Sequence, residues 1–437
     1  MSFAVLSLNQ SVQGAFANAE HFVLLAAVAG ALLLQRALVR EQPGSLFCSG
    51  LLFGIAFMIK QHDLSFIGFG GLYLLIVELR RRPIVWRQFI GRCSLFVAGV
   101  ILPFGMTCIF FLRLAIFDKF WFWTFVYAQE YISAVLFSMG IKLLMKHFSK
   151  IVFSSFILFI LASIGLVISL SCQNYRSKIL FVILFTLFSW LAVCPGLYFR
   201  PHYFILFLPA IALLTGICIS FLEPLLRKHS FTTMQKLIPL FLVVISLLHS
   251  LYYQRNYLFK FSSTQVSRQI YGGNPFPESL EIGRYIENNS SENDRIAVLG
   301  SEPQIYFYAK RRAATGYLYT YPLMEPHPYA KKMQREMIEQ IESNRPEFLV
   351  FVNVRASWLV RSASEKMIFS WLSDYLQKYY ETVGVVDILS QENTVSYWDD
   401  ESLKYSPRSE SWLAVYRRKS RASFRDFSGE GREVGPA

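Results

Sequence analysis

The sequence predicts a mainly α-helical membrane protein, in which a polytopic transmembrane domain of about eight helices precedes a small extracytoplasmic α/β domain. Apolar residues make up 54% of the chain and mean hydropathy is +0.36, yet the apolar runs end near residue 254. Short loops rich in Lys and Arg separate those runs, as in multi-pass membrane proteins. Beyond residue 258, strand and helix patterns alternate, which is typical of α/β domains.

Eight segments have enough apolar residues to be candidates for crossing a bilayer. The second and third are short and are separated only by residues 60–63, so they are either two tilted helices or a hairpin. The segments are 22–39, 46–60, 64–79, 92–117, 151–171, 179–195, 203–222 and 237–254.

The basic loops predict the orientation of these segments. Loops after the first, third, fifth and seventh segments should stay cytoplasmic, because short loops rich in Lys and Arg do so. They carry Arg36 and Arg40; Arg80, Arg81, Arg82, Arg87 and Arg92; Arg176 and Lys178; and Arg227, Lys228 and Lys236. The N-terminal stretch, residues 60–63, 118–150 and 196–202 and the C-terminal domain then lie outside. This predicts a multi-pass protein of the plasma (inner) membrane.

The long loop 118–150 is rich in aromatic residues and has apolar residues at helical spacing. Such a segment suits helices that lie in the membrane interface, with aromatic rings at headgroup depth. Two interpretations stay open, a plain aromatic belt or a surface beneath which a lipid substrate enters. Tyr131 is the substrate-binding candidate in this segment.

Three polar clusters fall on the predicted outer face: residues 18–21 (NAEH), 60–63 (KQHD) and 200–203 (RPHY). Glu20 could bind a metal, a sugar hydroxyl or an acceptor, or could simply favour the start of a helix. Lys60 could bind an anion such as phosphate, or could extend to the interface. Arg200 can grip a phosphate and His202 can bind a metal or carry a proton. Together they predict a polar site outside the membrane.

Several classes of protein and site are disfavoured. The net charge of +13 does not come from a basic stripe with interleaved aromatics, so no nucleic-acid partner is expected. The six cysteines lie in or beside apolar segments without a CxxC pair, which argues against a disulfide scaffold or a cysteine zinc site. No secretory signal peptide is evident at the start of the chain.

The predicted domain boundaries are 1–257 for the membrane domain, 258–419 for the α/β domain and 420–437 for a disordered tail. The α/β domain should contain a largely parallel sheet, with strands at RIAVLGS, EFLVFVNV and ETVGVVDI and an edge strand at SWLAVYRRK. Gly300-Ser301-Glu302 follows the first strand. It is either a ligand-binding turn or, more simply, a turn whose Ser301 caps the next helix.

The order of several segments resembles one family. These are ANAEHFVLLAAVAGALLL, GLLFGIAFMIKQ, FWFWTFVYAQEY, YFRPHYFILFLPAIALL and IAVLGSEPQIYFYAKRRAATGY. The chain is similar, to about residue 360, to GT-C type polytopic glycosyltransferases of the dolichyl-phosphate-mannose protein mannosyltransferase and aminoarabinose transferase kind.

The resemblance implies an inverting enzyme of the cell envelope that moves a sugar from a polyprenyl phosphate to a lipid or protein acceptor. It implies a catalytic role for Glu20, lipid-phosphate binding by Lys60 and Arg200, and metal or phosphate contact by His202. A divalent metal ion is the one candidate cofactor. The family has a further helix and an acidic outer loop ahead of the region where this sequence starts, and residues 1–17 contain no Asp or Glu. The resemblance therefore implies an upstream start or a truncated product.

Three other functions compete with this one. A transporter should show broken helices or repeats with polar groups near the midplane, whereas these clusters sit at segment ends. A lipid-linked glycan ligase or polymerase would use the same lipid-phosphate chemistry. A non-catalytic membrane subunit would need no base.

Overall fold

The computed structural model describes residues 1–132, 135–172, 178–228 and 237–419; the side chains of Tyr131 and of residues 223–228 also lie outside the described part. The chain forms two compact units, Met1–Lys260 and a second that begins at Phe261. Most of the fifth and seventh predicted loops and the predicted tail 420–437 fall outside the described residues.

The first unit is built from helices, and each of the eight predicted apolar segments is largely helical. The α-helices are α1 (Ser2–Ser7), α2 (Ala19–Arg40), α3 (Pro43–Ile59), α4 (Leu64–Arg80), α5 (Trp86–Arg113), α6 (Phe117–Trp121), α7 (Tyr127–Ile132), α8 (Phe137–Ser154), α9 (Phe156–Ser171), α10 (Ile179–Leu191), α11 (Leu208–Lys228), α12 (Ile238–Tyr253) and α13 (Arg255–Phe259). Short 3-10 helices at Gln10–Val12, Gln61–Asp63, Pro195–Leu197 and Pro201–Phe207 link some of them.

Within the described residues, four helical segments are long and apolar enough to cross a membrane: Ala19–Arg40, Gln61–Arg80, Trp86–Arg113 and Pro201–Leu222. Helices α8 and α9 form a fifth candidate if the pair, bent by 97°, is counted as one span. Helices α3, α10 and α12 are apolar but shorter. A mainly helical chain with several candidate spans is therefore confirmed, whereas the count of about eight crossings stays a prediction.

The segment 118–150 is helical over most of its described length. It comprises α6, a π-helix at Phe122–Val126, α7 and most of α8. Its predicted position in the membrane interface stays a prediction.

Helices α3 and α5 pack with their backbones close together because glycines line the contact. A Cβ on Gly50 would lie 2.2 Å from the Phe96 carbonyl oxygen, and one on Gly99 would lie 2.3 Å from that of Phe47. Small residues of this kind let helices in membranes approach closely. Phe53, which is fully buried, packs edge-on against Phe96 beside them.

The second unit packs helices against one six-stranded sheet. Its helices are α14 (Ser263–Tyr271), α15 (Phe276–Asn288), α16 (Gln304–Ala309), α17 (Tyr321–Met324), α18 (Ala330–Asn344), α19 (Arg355–Trp358) and α20 (Met367–Tyr379). Its strands are β1 (Arg295–Leu299), β2 (Arg312–Ala313), β3 (Phe348–Asn353), β4 (Tyr380–Ile388), β5 (Thr394–Trp398) and β6 (Trp412–Arg418), in the order β2-β1-β3-β6-β4-β5.

Two predictions about this sheet are wrong. It is mixed rather than largely parallel, since β1, β2 and β3 pair in parallel whereas β6 pairs antiparallel with β3 and β4, and β4 with β5. The SWLAVYRRK segment forms β6 at the centre of the sheet, not at its edge. Its basic end resembles an edge strand, but Leu413, Ala414 and Val415 are buried.

Candidate functional site

Residues from the three polar clusters of the sequence meet in the first unit. The Lys60 ammonium donates a hydrogen bond to the Glu20 carboxylate and forms an ion pair with it. His202 Nε2 lies 3.9 Å from Glu20 Oε1. The Glu20 side chain is only 1% exposed, so the pairing with Lys60 compensates a carboxylate that water hardly reaches.

The backbone around Lys60 explains why its side chain is available at this point. Helix α3 stops at Ile59 because Lys60 adopts an extended conformation, with φ −156° and ψ 128°. The 3-10 turn Gln61–Asp63 follows before α4 begins. Glu20 lies in the first turn of α2, where a negative charge is favourable. Two helix ends therefore present the two opposite charges.

Tyr203 is the shared neighbour of the polar side chains. Lys60 Nζ lies 4.2 Å from the centre of the Tyr203 ring, within cation–π range. The rings of His62 and His202 approach it at 4.6 and 4.9 Å, both edge-on. Tyr203 stands in one of the predicted clusters, but the sequence offered no signal to single it out.

Gln13 is a member of the cluster that sequence reasoning missed. Its Oε1 lies 3.3 Å from His202 Nδ1, and its backbone is left-handed with φ 55°. The segment that carries it is anchored by Asn9, whose amide donates to Ser154 Oγ (2.6 Å) and Ser155 Oγ (3.1 Å). Gln13 lies in a mildly polar N-terminal stretch, where nothing in the sequence indicates its contact with His202.

Arg200 lies next to this cluster on an unusual stretch of backbone. The guanidinium lies 5.3 Å from the centre of the Tyr198 ring, and its charge acts on both Lys60 and His202. Leu197 and Phe199 have φ values of 55° and 42°. Such conformations are costly for residues with side chains and cluster at functional sites.

A cavity of about 860 Å³ opens beside the cluster. Its polar lining residues are Lys60, Gln61, His62, Ser65, Thr124 and Tyr203. The rest is largely aromatic and aliphatic, including Phe57, Met58, Ile59, Phe104, Phe120, Phe125 and Ile132. Gln61 Nε2 donates to the Thr124 carbonyl at 2.5 Å, which ties the turn after α3 to the π-helix. The arrangement suits a ligand with an apolar body and one anionic group.

Two predicted site assignments have no geometric test. The Tyr131 side chain lies outside the described residues. Within the described part of the chain, no group of three or more His, Cys, Asp or Glu side chains could hold a metal ion. The metal role of His202 therefore stays a prediction.

In the second unit, the Gly300-Ser301-Glu302 turn forms a closed hydrogen-bond network. The Ser301 amide donates to Ser357 Oγ (2.8 Å), Ser357 Oγ donates to Glu302 Oε2 (2.7 Å), and Ser301 Oγ lies 3.0 Å from Thr320 Oγ1. Helix α16 begins at Gln304 with Pro303 ahead of it, and Ser301 does not cap it. The predicted cap is wrong because the Ser301 hydroxyl is engaged by Thr320. Burial raises the pKa of Glu302 to about 7.

No family model matches the chain, and no curated protein matches it in sequence.

Proposed function

We propose that this chain is a membrane glycosyltransferase that moves a sugar from a polyprenyl-phosphate donor to a lipid or protein acceptor at the outer face of the membrane. The observation that carries the proposal is the largely apolar cavity with Lys60 in its polar wall and Glu20, His202 and Arg200 beside it. An isoprenoid chain would occupy the apolar part, and the phosphate would lie near the cations.

The proposed chemistry needs stabilisation of charge, an aligned acceptor and a base. Lys60 and Arg200 would hold the lipid phosphate, which is the leaving group. An acceptor oxygen would attack the anomeric carbon as the bond from that carbon to the phosphate oxygen breaks. Glu20 would orient the acceptor and take its proton, and His202 would contact the phosphate. The released lipid phosphate carries away the electron pair of the broken bond.

A non-catalytic subunit that binds a lipid phosphate is the second candidate. One observation favours this alternative. Glu20, the carboxylate that the described residues bring to the cluster, already forms an ion pair with Lys60. A carboxylate held in an ion pair must give up that contact before it can orient an acceptor, and separating a buried pair is costly. On this alternative the site would bind the donor without turning it over.

Full-length protein in nanodiscs, incubated with radiolabelled polyprenyl-phosphate sugars, separates the candidates. Transfer of label to an acceptor supports the enzyme, and retention of intact donor without transfer supports the subunit. Neither binding nor transfer with any donor would reject both. Arg200→Ala should abolish donor binding, whereas Arg87→Ala, which removes an exposed arginine at the start of α5, should leave it unchanged.

A further inference from the structure

Strand β5 is an edge of the sheet in the second unit that lacks the usual protection against strand pairing. Edge strands are commonly very short, charged, or interrupted by proline or a bulge. The opposite edge strand, β2, has only two residues. Strand β5 has five, with the sequence TVSYW, all partly exposed and paired with β4 without a bulge. The edge at β5 is therefore long enough to accept another strand.

The direction of the β5 backbone follows from its pairing with β4. The Ile388 amide at the end of β4 donates to the Ser411 carbonyl, on the β6 side, at 2.9 Å. Backbone groups alternate in direction along an antiparallel strand, so those of Asp387 face β5. Asp387 lies opposite Val395. Val395 therefore directs its N–H and C=O inward, to β4.

The two neighbours of Val395, Thr394 and Ser396, direct their backbone groups away from the sheet by the same alternation. Among the described residues, the hydrogen bonds that these two form are made by their side-chain oxygens, and none by the outward N–H and C=O groups. Two residues apart along the strand, these groups have the spacing that an added β-strand needs.

Both faces of β5 are supported, so the edge is already formed before a partner arrives. On one face, Glu281 of α15 accepts hydrogen bonds from Ser396 Oγ at 2.9 Å and from Trp398 Nε1 at 3.0 Å. On the other, the Tyr397 ring stacks on the Tyr405 ring at 4.2 Å. A strand held in this way loses little conformational freedom on binding, which favours affinity.

Exposed acidic residues stand at both ends of β5. Glu392 precedes the strand, and Asp399, Asp400 and Glu401 follow it. If a second copy of this chain paired symmetrically about Ser396, Glu392 would lie opposite the Asp400 of that copy. Like charges directly opposite each other are destabilising. The charges at the ends of the strand therefore favour a basic partner over a second copy.

We propose that β5 binds an extended peptide by strand addition, and that this peptide has a neutral centre and a basic residue at each end. Backbone hydrogen bonds with Thr394 and Ser396 would supply affinity, and the charged ends would supply specificity. The basic residues Lys404 and Arg408 do not oppose this charge pattern. They lie beside Tyr405, which covers one face of the strand and not its ends. The inference is independent of the proposed glycosyl transfer.

Fluorescence anisotropy of a labelled peptide, KTVTVK, with the full-length protein in nanodiscs of zwitterionic lipid tests the proposal. The peptide should bind at least several-fold more tightly than the matched peptide ETVTVE. Ser396→Pro should reduce binding at least ten-fold, because it removes an outward N–H. Proline is tolerated at such positions of edge strands, so the sheet should still form. Ser396→Ala keeps the N–H and should bind like the wild type.

A charge variant gives a second readout if Ser396→Pro does not fold. Glu392→Lys/Asp400→Lys changes two exposed residues and should lose the preference for KTVTVK over ETVTVE. Absence of peptide binding, equal affinity of the wild type for both peptides, or undiminished binding by folded Ser396→Pro would each overturn the proposal. Dimerisation of the wild type that Ser396→Pro abolishes would also overturn it, since a second copy would then occupy the edge.

Discussion

Glu20 and Lys60 depend on each other, because one is almost fully buried and the other is its cation. The Glu20 side chain is 1% exposed and that of Lys60 20%. Removing one member of a buried pair leaves an uncompensated charge, which costs about 3–5 kcal/mol, whereas removing both can be nearly neutral. Stability and ligand binding can therefore be separated by changing the pair in two ways.

Lys60→Met should lower the free energy of unfolding by about 3 kcal/mol or more, because Glu20 is left without its cation. The double variant Glu20→Gln/Lys60→Met should recover most of that loss, since neither charge remains. Both variants should lose binding of the lipid-phosphate donor. Thermal unfolding and donor binding of the purified protein measure the two effects.

Lys142→Met is the matched control for this prediction. Lys142 is an exposed lysine of α8, so its loss should change neither the free energy of unfolding nor donor binding. A double variant as unstable as Lys60→Met would show that the pair does not act as a unit. Donor binding retained by the double variant would remove Lys60 from the proposed phosphate site.

Glu302 should make the stability of the second unit depend on pH. Burial raises the pKa of its carboxyl from 4.5 to about 7 in the folded protein. Below pH 4.5 the carboxyl is neutral in both states and costs nothing. As the pH rises from 4.5 to 7 the unfolded chain releases this proton and the folded chain keeps it, so stability falls. The loss reaches about 3 kcal/mol above pH 7.

Glu302→Gln should remove this pH dependence, because the amide stays neutral and can still accept the hydrogen bond from Ser357 Oγ. The variant should therefore gain stability relative to wild type at pH 8 more than at pH 4.5. Chemical unfolding of the full chain, followed through the second unit, measures the difference. Glu392→Gln, at an exposed glutamate between β4 and β5, should leave the wild-type profile unchanged. The same pH profile in Glu302→Gln and wild type would contradict the assignment.

Among the elements, the contact between α3 and α5 leaves no room for added volume at Gly99. Gly99→Ala places a methyl group 2.3 Å from the Phe47 carbonyl oxygen and 2.8 Å from the Leu51 amide nitrogen. Both neighbours are backbone atoms, so the helices must separate. We expect a loss of about 1–3 kcal/mol in the free energy of unfolding, seen as a lower Tm in detergent.

Gly105→Ala in the same helix is the control. A Cβ there meets nothing within 4 Å, and alanine has the higher helix propensity by up to about 1 kcal/mol. Its Tm should equal or exceed that of the wild type. A Gly99→Ala variant as stable as Gly105→Ala would mean that the two backbones are farther apart than described.

The elements that sequence could predict are those set by local composition. Long apolar runs predict the helices of the first unit, and the KQHD cluster (residues 60–63) predicts the break between α3 and α4. The position of β6 could not be predicted, because strand order depends on contacts between distant segments. Its apolar residues fit a buried strand, but its basic end suggested an edge.

The candidate site, too, has features that the sequence predicts and features that depend on contacts between distant segments. Counting crossings led us to expect Glu20, Lys60 and His202 at one face, and the structure brings them together. The contact of Gln13 with His202 depends on a left-handed residue and on the anchoring of Asn9. Neither leaves a periodic pattern, so sequence reasoning had no means of finding them.

At the scale of the whole molecule, the two compact units differ in what stabilises them. The first, Met1–Lys260, is a helical bundle whose described helices are largely apolar, and the second is built around a sheet. Backbone hydrogen bonds within each helix stay local, whereas a sheet depends on strands far apart in sequence. Loss of a late strand should therefore affect the second unit selectively.

A chain ending at Glu410, which lacks β6, should leave the second unit unfolded and the first unit intact. Strand β6 pairs with β3 on one side and β4 on the other, so its loss divides the sheet into β2-β1-β3 and β4-β5. It also exposes Val350 and Val386, which are fully buried in the sheet. Limited proteolysis of the purified protein should then digest the chain beyond about Phe261 and spare the bundle. A chain ending at Lys419 retains β6 and should resist protease like the full-length protein. Equal resistance of the two shortened chains would show that the sheet holds together without its central strand. We do not expect that outcome, because β6 is the strand that joins β3 to β4.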